Sequence, residues 1–261
     1  MIFQNFEHDF GLSPFVKGVM TFECGEESAK TYLPFFADGF PGLMYHKTPN
    51  GLKINPHKKI MPELFVYGQT IIPIEFEIFG KYQIIVFQLY PFVLKRLFGI
   101  EPKSITDDCY NLTNNENFHL GGILEKLSSN TGLFHKVNTI SQFLSELTDA
   151  GKLLFDQTIL KAIEMILNEN GKLNLADTAK ELNLTKRTFE RRFFSETGLL
   201  PKQFAKIIQF QSSLTQLTVK EYSTLTDVVY QNGYADQSHF IRVFKTFTGK
   251  TPSQFTREKT S

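Results

Sequence analysis

Leu184-Thr-Lys-Arg-Thr-Phe-Glu-Arg-Arg-Phe193, followed by Gly198-Leu-Leu-Pro201-Lys-Gln-Phe204, returns further along the chain as Tyr234-Ala-Asp-Gln-Ser-His-Phe-Ile-Arg-Val-Phe244, followed by Gly249-Lys-Thr-Pro252-Ser-Gln-Phe255. Adding 51 carries Phe189, Arg191, Phe193, Gly198, Pro201 and Phe204 onto Phe240, Arg242, Phe244, Gly249, Pro252 and Phe255. Six identities in one register mark an internal duplication, the sign of one supersecondary unit used twice.

A shorter helical segment precedes each copy, Leu175-Ala-Asp-Thr-Ala-Lys-Glu-Leu182 in one and Leu225-Thr-Asp-Val-Val-Tyr-Gln231 in the other, now at an offset of 50. The turn after the second, Asn232-Gly-Tyr-Ala-Asp236, is therefore one residue longer. Thr185 and Asp236 stand where a side chain can cap a helix N-terminus. Each unit reads as a short helix, a tight turn and a second helix, which is a helix-turn-helix.

The two Phe residues of each second helix, at i and i+4, share one face and belong to the core. The opposite face at the N-terminal end is left to Lys186, Arg187, Glu190 and Arg191 in the first unit, and to Gln237, Ser238, His239 and Arg242 in the second. Such cationic and amide side chains suit base edges and phosphates. Gly233 supplies a turn conformation. Between the units, Pro201 to Leu217 begins with Pro at a first helical position and repeats Phe204, Ile207, Ile208, Gln211 and Leu214 at helical spacing. A helix of that length is roughly 25 Å long. Two second helices held on such a strut can enter successive major-groove faces about 34 Å apart.

Residues 156 to 258 resemble the paired helix-turn-helix DNA-binding domain of the AraC/XylS family of bacterial transcription regulators. The resemblance is carried most specifically by Gly233-Tyr-Ala-Asp-Gln-Ser-His-Phe-Ile-Arg-Val-Phe-Lys245 and Gly249-Lys-Thr-Pro252. It implies sequence-reading contacts at Lys186, Arg187, Glu190 and Arg191, while Gln237, Ser238, His239 and Arg242 are candidates from their place on the exposed side of the second unit's helix. Glu190 departs in charge: an acid near phosphates is unfavourable, so it either reads a cytosine amino group or pairs with Arg187 or Arg191. Double-stranded DNA is the partner implied, with room for an unidentified small effector, RNA polymerase and a second copy of the chain.

The 261 residues suggest two domains, and 41% hydrophobic residues suffice for packed cores. The net charge of +1 divides unevenly: residues 1–150 carry 12 Lys+Arg against 16 Asp+Glu, and the remainder 16 against 11. The basic half is the half with the duplicated unit, as phosphate neutralisation requires. Cys24 and Cys109 are far apart, show no metal spacing and are expected to be buried thiols. No signal segment or membrane span is expected, and the default is a cytoplasmic protein.

From about residue 12 to 90 the signals are those of strands: Phe15 to Cys24, Thr31 to Phe36, Gly42 to His46, Leu64 to Tyr67, Thr70 to Phe79 and Tyr82 to Tyr90, with turn residues between them. Short strands so closely spaced read as a sandwich or barrel. Helical patterns follow at Phe92 to Gly99 and Asn117 to Leu127. Leu133, Val137, Ile140, Leu144 and Leu147 then lie at steps of four and three, which fits either a helix packed on its own domain or a dimer seam.

The fold class expected is α+β: a β-rich barrel or sandwich with following helices, then an all-α domain of two helix-turn-helix units on a long helix. By resemblance the first part is a cupin-like candidate sensing domain over residues 1–115. A helical linker and dimerisation segment at 116–150 and a DNA-binding domain at 151–261 follow. His8, His46, His57, His119 and His135 are isolated, with no His-x-His pair, so no metal site and no cofactor is expected. No nucleophile motif or phosphate loop occurs, which points away from an enzyme. The rival readings are a helical protein-interaction module on a β-barrel and a cupin-type metal-dependent enzyme.

Overall fold

The computed structural model describes residues 2–6, 12–25, 30–114, 118, 120–129, 132–149 and 154–258. His8 and His119 lie outside them. Contacts divide the chain into two compact units. The first comprises Met1–Phe35, Phe40–Gly68 and Ile74–Leu154; the second comprises Phe36–Gly39, Gln69–Pro73 and Phe155–Ser261.

Among the described residues, ten strands build the first unit: β1 Ile2–Phe6, β2 Val16–Cys24, β3 Lys30–Phe35, β4 Gly42–Lys47, β5 Leu52–Asn55, β6 Lys59–Met61, β7 Leu64–Tyr67, β8 Ile74–Phe79, β9 Tyr82–Leu89 and β10 Cys109–Asn111. They form a six-stranded sheet in the order β1-β2-β9-β4-β7-β10 and a four-stranded sheet in the order β3-β8-β5-β6, with every pairing antiparallel. Met44, Phe65, Ile84 and Val86 from the larger sheet pack into one apolar cluster with Leu52, Met61, Phe76 and Ile78 from the smaller. The architecture is thus two sheets sharing a core, with no closed barrel.

The apolar runs at 43–45 and 84–87 follow from this layering. Met44 faces the cluster between the sheets, while the neighbouring Tyr45 uses its hydroxyl to donate to the Leu127 carbonyl at 2.9 Å. Alternate residues of a strand point to opposite faces, so a strand covered on both sides needs apolar residues throughout.

The covering helices are α1 Val93–Phe98, α2 Gly121–Ser128 and α3 Leu133–Asp149. Gly99 ends α1 in the left-handed region at φ 64°, where a glycine has no Cβ to clash. On α3, Val137, Ile140 and Leu144 are buried and Leu133 and Leu147 are half-buried. The seam is therefore occupied within its own unit. Lys136 is buried with it, donating to Gln83 Oε1 at 2.6 Å and lying 5.8 Å over the Tyr45 ring.

Three expectations are corrected. The strand expected from Thr70 begins at Ile74, and the preceding Gln69–Pro73 groups with the second unit; Pro73 has no N–H for a ladder. The strands β1, β5, β6 and β10 were not foreseen: β1 precedes the stretch read as strands, and the other three are three or four residues long and carry Lys or Asn. Cys24 and Cys109 are half-buried free thiols, not buried ones.

The second unit contains α4 Gln157–Asn168, α5 Leu175–Glu181, α6 Lys186–Thr197, α7 Pro201–Val219, α8 Leu225–Gln231, α9 Gln237–Thr248 and α10 Pro252–Glu258. No described helix is long and apolar enough to cross a membrane.

Candidate nucleic-acid interface

The duplication seen in the sequence is a duplication of backbone geometry. Asn183 and Gly233, equivalent at the offset of 50, both occupy the left-handed region, at φ 54° and 72°. Asn and Gly are the residues that adopt it at least cost, and each turns the chain from α5 into α6 or from α8 into α9. Thr185 then caps α6 by accepting from the Thr188 N–H, and Asp236 caps α9 by accepting from the His239 N–H at 2.7 Å.

The far ends match as well. Gly198 and Gly249 end α6 and α9 at φ 77° and 74°. The Thr197 hydroxyl donates to the Phe193 carbonyl at 2.9 Å and accepts from the Leu199 N–H at 3.1 Å. Thr248 repeats this on Phe244 and Lys250, at 2.8 and 3.1 Å.

Both units are fixed to α7. Phe189, Phe193, Phe240 and Phe244 are buried. The Phe193 ring lies 5.6 Å from Phe204 near the start of α7, and Phe244 lies 5.5 Å from Phe210 in its middle. Polar contacts add direction. Gln209 on α7 donates to the Asn232 carbonyl at 2.9 Å, and Asn232 donates to Gln216 Oε1 at 2.7 Å. The Ser213 hydroxyl is 3.2 Å from that of Tyr234, whose pKa burial pushes up to about 12. Gly171 approaches α7 so closely that a Cβ there would be 2.1 Å from the Ala205 carbonyl oxygen. Residues buried by α7 from two sides leave little freedom for one unit to turn against the other. At 19 residues, α7 is about 28 Å long.

The expected contact residues remain on the outside. Lys186, Arg187 and Arg191 on α6 and Gln237, Ser238 and Arg242 on α9 are exposed, whereas Glu190 and His239 are half-buried. His239 sets its ring edge-on to Tyr234 at 5.7 Å, with Nδ1 buried and lacking a hydrogen-bond partner. Among the described residues Glu190 forms no ion pair with Arg187 or Arg191. Of the two roles open to it, pairing with those arginines is not the one adopted here.

One groove collects three of the eight expected contact residues, Lys186, Glu190 and His239, and not the other five. That groove, of about 450 Å³, is lined by Lys186 and Glu190 of α6, Ala205 and Gln209 of α7, Asn174 to Ala176 at the start of α5, and His239 of α9. Residues 178–258 match the family described as a helix-turn-helix domain.

The chain carries an AraC-type helix-turn-helix domain.

Residues 5–111, ahead of the AraC-type domain, match a domain of unknown function (DUF6597). Among curated relatives, a 114-residue stretch is 27% identical to the uncharacterized transcriptional regulatory protein YesN of Bacillus subtilis, covering 42% of this chain and 31% of that protein. A 93-residue stretch is 27% identical to an uncharacterized HTH-type transcriptional regulator of Staphylococcus aureus, covering 36% of this chain and 12% of that one. The chain thus spans less than a third of the length of either relative. Among solved structures, ToxT from Vibrio cholerae aligns with a TM-score of 0.50 over 92% of this chain and 98% of its own, at 15% identity. That likeness concerns the fold: a β-rich part followed by the paired helical units.

Sequence reasoning missed several residues of the AraC-type domain. Lys202 and Lys206 of α7 line the same groove, and Lys245 joins Ser238 and Arg242 along a shallow depression on α9. The lysines stand in runs whose apolar period was read for packing alone. Arg192, beside the expected contact Arg191, turns inward to Asp156. Nothing at Val243, its equivalent in the second copy, hints at this.

Proposed function

We propose that the chain is a cytoplasmic, sequence-specific DNA-binding transcription regulator of the AraC/XylS type. Its second unit would read two adjacent major-groove segments of double-stranded DNA, one with α6 and one with α9. The observation that supports this reading is that the expected contact side chains stay exposed on α6 and α9, two helices both packed on α7. Two helices with exposed cationic and amide side chains on one stiff rod suit a reader of successive major-groove faces, which recur about every 34 Å. Lys186, Arg187, Glu190 and Arg191 are assigned to one segment, and Gln237, Ser238, His239 and Arg242 to the other.

The same reading divides the chain into a sensing domain at 1–115, a linker at 116–150 and a DNA-binding domain at 151–261. Control comes from a small effector held by the sensing domain or from dimerisation through it. RNA polymerase is the further partner that activation would require.

Selection of duplexes from a random-sequence library by the full chain, followed by gel shifts of the enriched sequence against scrambled competitor, tests the reading. A specific affinity at least about a thousandfold above non-specific binding is expected. Equal binding of enriched and scrambled duplexes would defeat it.

A further inference from the structure

Resting on that reading, we infer that the start of α7 is itself a DNA-binding element. Lys202 and Lys206, with Lys186, form a phosphate clamp on the backbone that crosses between the two major-groove segments. The connecting helix would thereby hold the duplex in addition to spacing the readers.

The placement makes the case. Lys202 and Lys206 are one helical turn apart on α7, both exposed, and both line the groove that Lys186 and Glu190 of α6 and His239 of α9 also line. Lys186 enters the same groove from α6. Among the described residues none of the three has a carboxylate within 4.0 Å, and the groove holds one acid, Glu190. Lys206 is steadied by the Phe247 ring, 5.8 Å below its Nζ. Exposed lysines without a carboxylate partner, grouped in a concave strip, concentrate positive potential there.

Duplex geometry supplies the ligand. Two major-groove segments read from one side are separated by a minor groove about 6 Å wide, flanked by two phosphate backbones. Whatever holds the readers apart must face those phosphates. Lysine is a point charge on a flexible stem and contacts phosphate without reading sequence. The clamp therefore adds affinity and salt dependence while leaving base discrimination to α6 and α9.

The test uses the full chain and a 30-base-pair duplex enriched by the wild type, with affinities measured from 50 to 200 mM salt. The double variant K202Q/K206Q is expected to bind more weakly on enriched and scrambled duplexes alike, with a salt slope shallower by about 1.8 for two lost phosphate contacts. Its deficit against the wild type then shrinks about 12-fold across that salt range. K202R/K206R should restore the slope. K220N, at the other end of α7 where Lys220 has φ 58°, should leave it unchanged. A double variant with the wild-type slope, or one impaired on the enriched duplex alone, overturns the clamp while the regulator reading stands. A wild-type chain that binds no duplex overturns both.

Discussion

Arg192 holds Asp156 with both ends of its guanidinium, Nε donating to Oδ2 at 2.8 Å and Nη2 to Oδ1 at 2.5 Å. Asp156 is also the cap of α4, accepting from the Thr158 and Ile159 N–H groups at 3.1 and 3.3 Å. One carboxylate thus ends one helix and anchors another, the helix that presents Lys186, Arg187 and Arg191. Burial alone would raise the Asp156 pKa, but the Arg192 hydrogen bond and the two backbone donors outweigh it and hold the carboxyl below its ordinary value.

A pH dependence follows from the direction of that shift. A carboxyl with a depressed pKa in the folded state contributes stability that is present above its unfolded pKa, about 3.9, and is lost as pH falls through the lower folded value. Urea unfolding of wild type and D156N between pH 7 and pH 3 should show their difference narrowing toward the acid end. A difference that stays constant across the range would contradict the linkage.

R192A and D156A separate the two duties of the pair. Removing Arg192 breaks a charge-assisted, partly exposed interaction and should cost about 1–2 kcal/mol. Removing Asp156 also deletes the cap, typically about 1 kcal/mol more. Equal destabilisation by the two variants would mean that the cap contributes nothing.

Phe244 lies where rings from three elements meet: Phe210 at 5.5 Å, Phe240 at 5.7 Å and Phe255 at 5.5 Å. F244A should destabilise the protein by about 3–5 kcal/mol, seen as an earlier unfolding midpoint, and lose DNA binding through unfolding of the second unit. A variant that is as stable as the wild type and binds normally would show that this face of α9 is wrongly assigned.

Among the described residues Glu190 forms no ion pair, though it lines the groove with Lys186, Lys202 and Lys206. If it accepts from a cytosine amino group, E190Q should relax discrimination at one base position by about 1–3 kcal/mol and leave the other positions alone. Binding measured across single-base variants of the enriched duplex checks this. An unaltered profile at every position would remove Glu190 from the reading surface.

What the sequence disclosed, and what it hid, divides along one physical line. The repeat, the caps Thr185 and Asp236, and the buried faces around Phe189 and Phe240 depend on residues close in the chain, so spacing reveals them. Asp156 and Arg192 are 36 residues apart and have no echo in the second copy, so no periodicity points to their meeting. Lys202 and Lys206 were read past because their helix was recognised by its apolar seam. In the first unit, β2, β4 and β9 are long and apolar enough to read directly. The short strands β5, β6 and β10 depend on partners that no local pattern names.

Hydroxyl-radical footprinting of the enriched duplex tests most directly whether a single chain reads two adjacent segments from one side of a duplex. Wild type should protect two patches on the same face, about 10 base pairs apart centre to centre, with R191A weakening one and R242A weakening the other. One patch, two patches on opposite faces, or equal loss of both patches in each variant would contradict it.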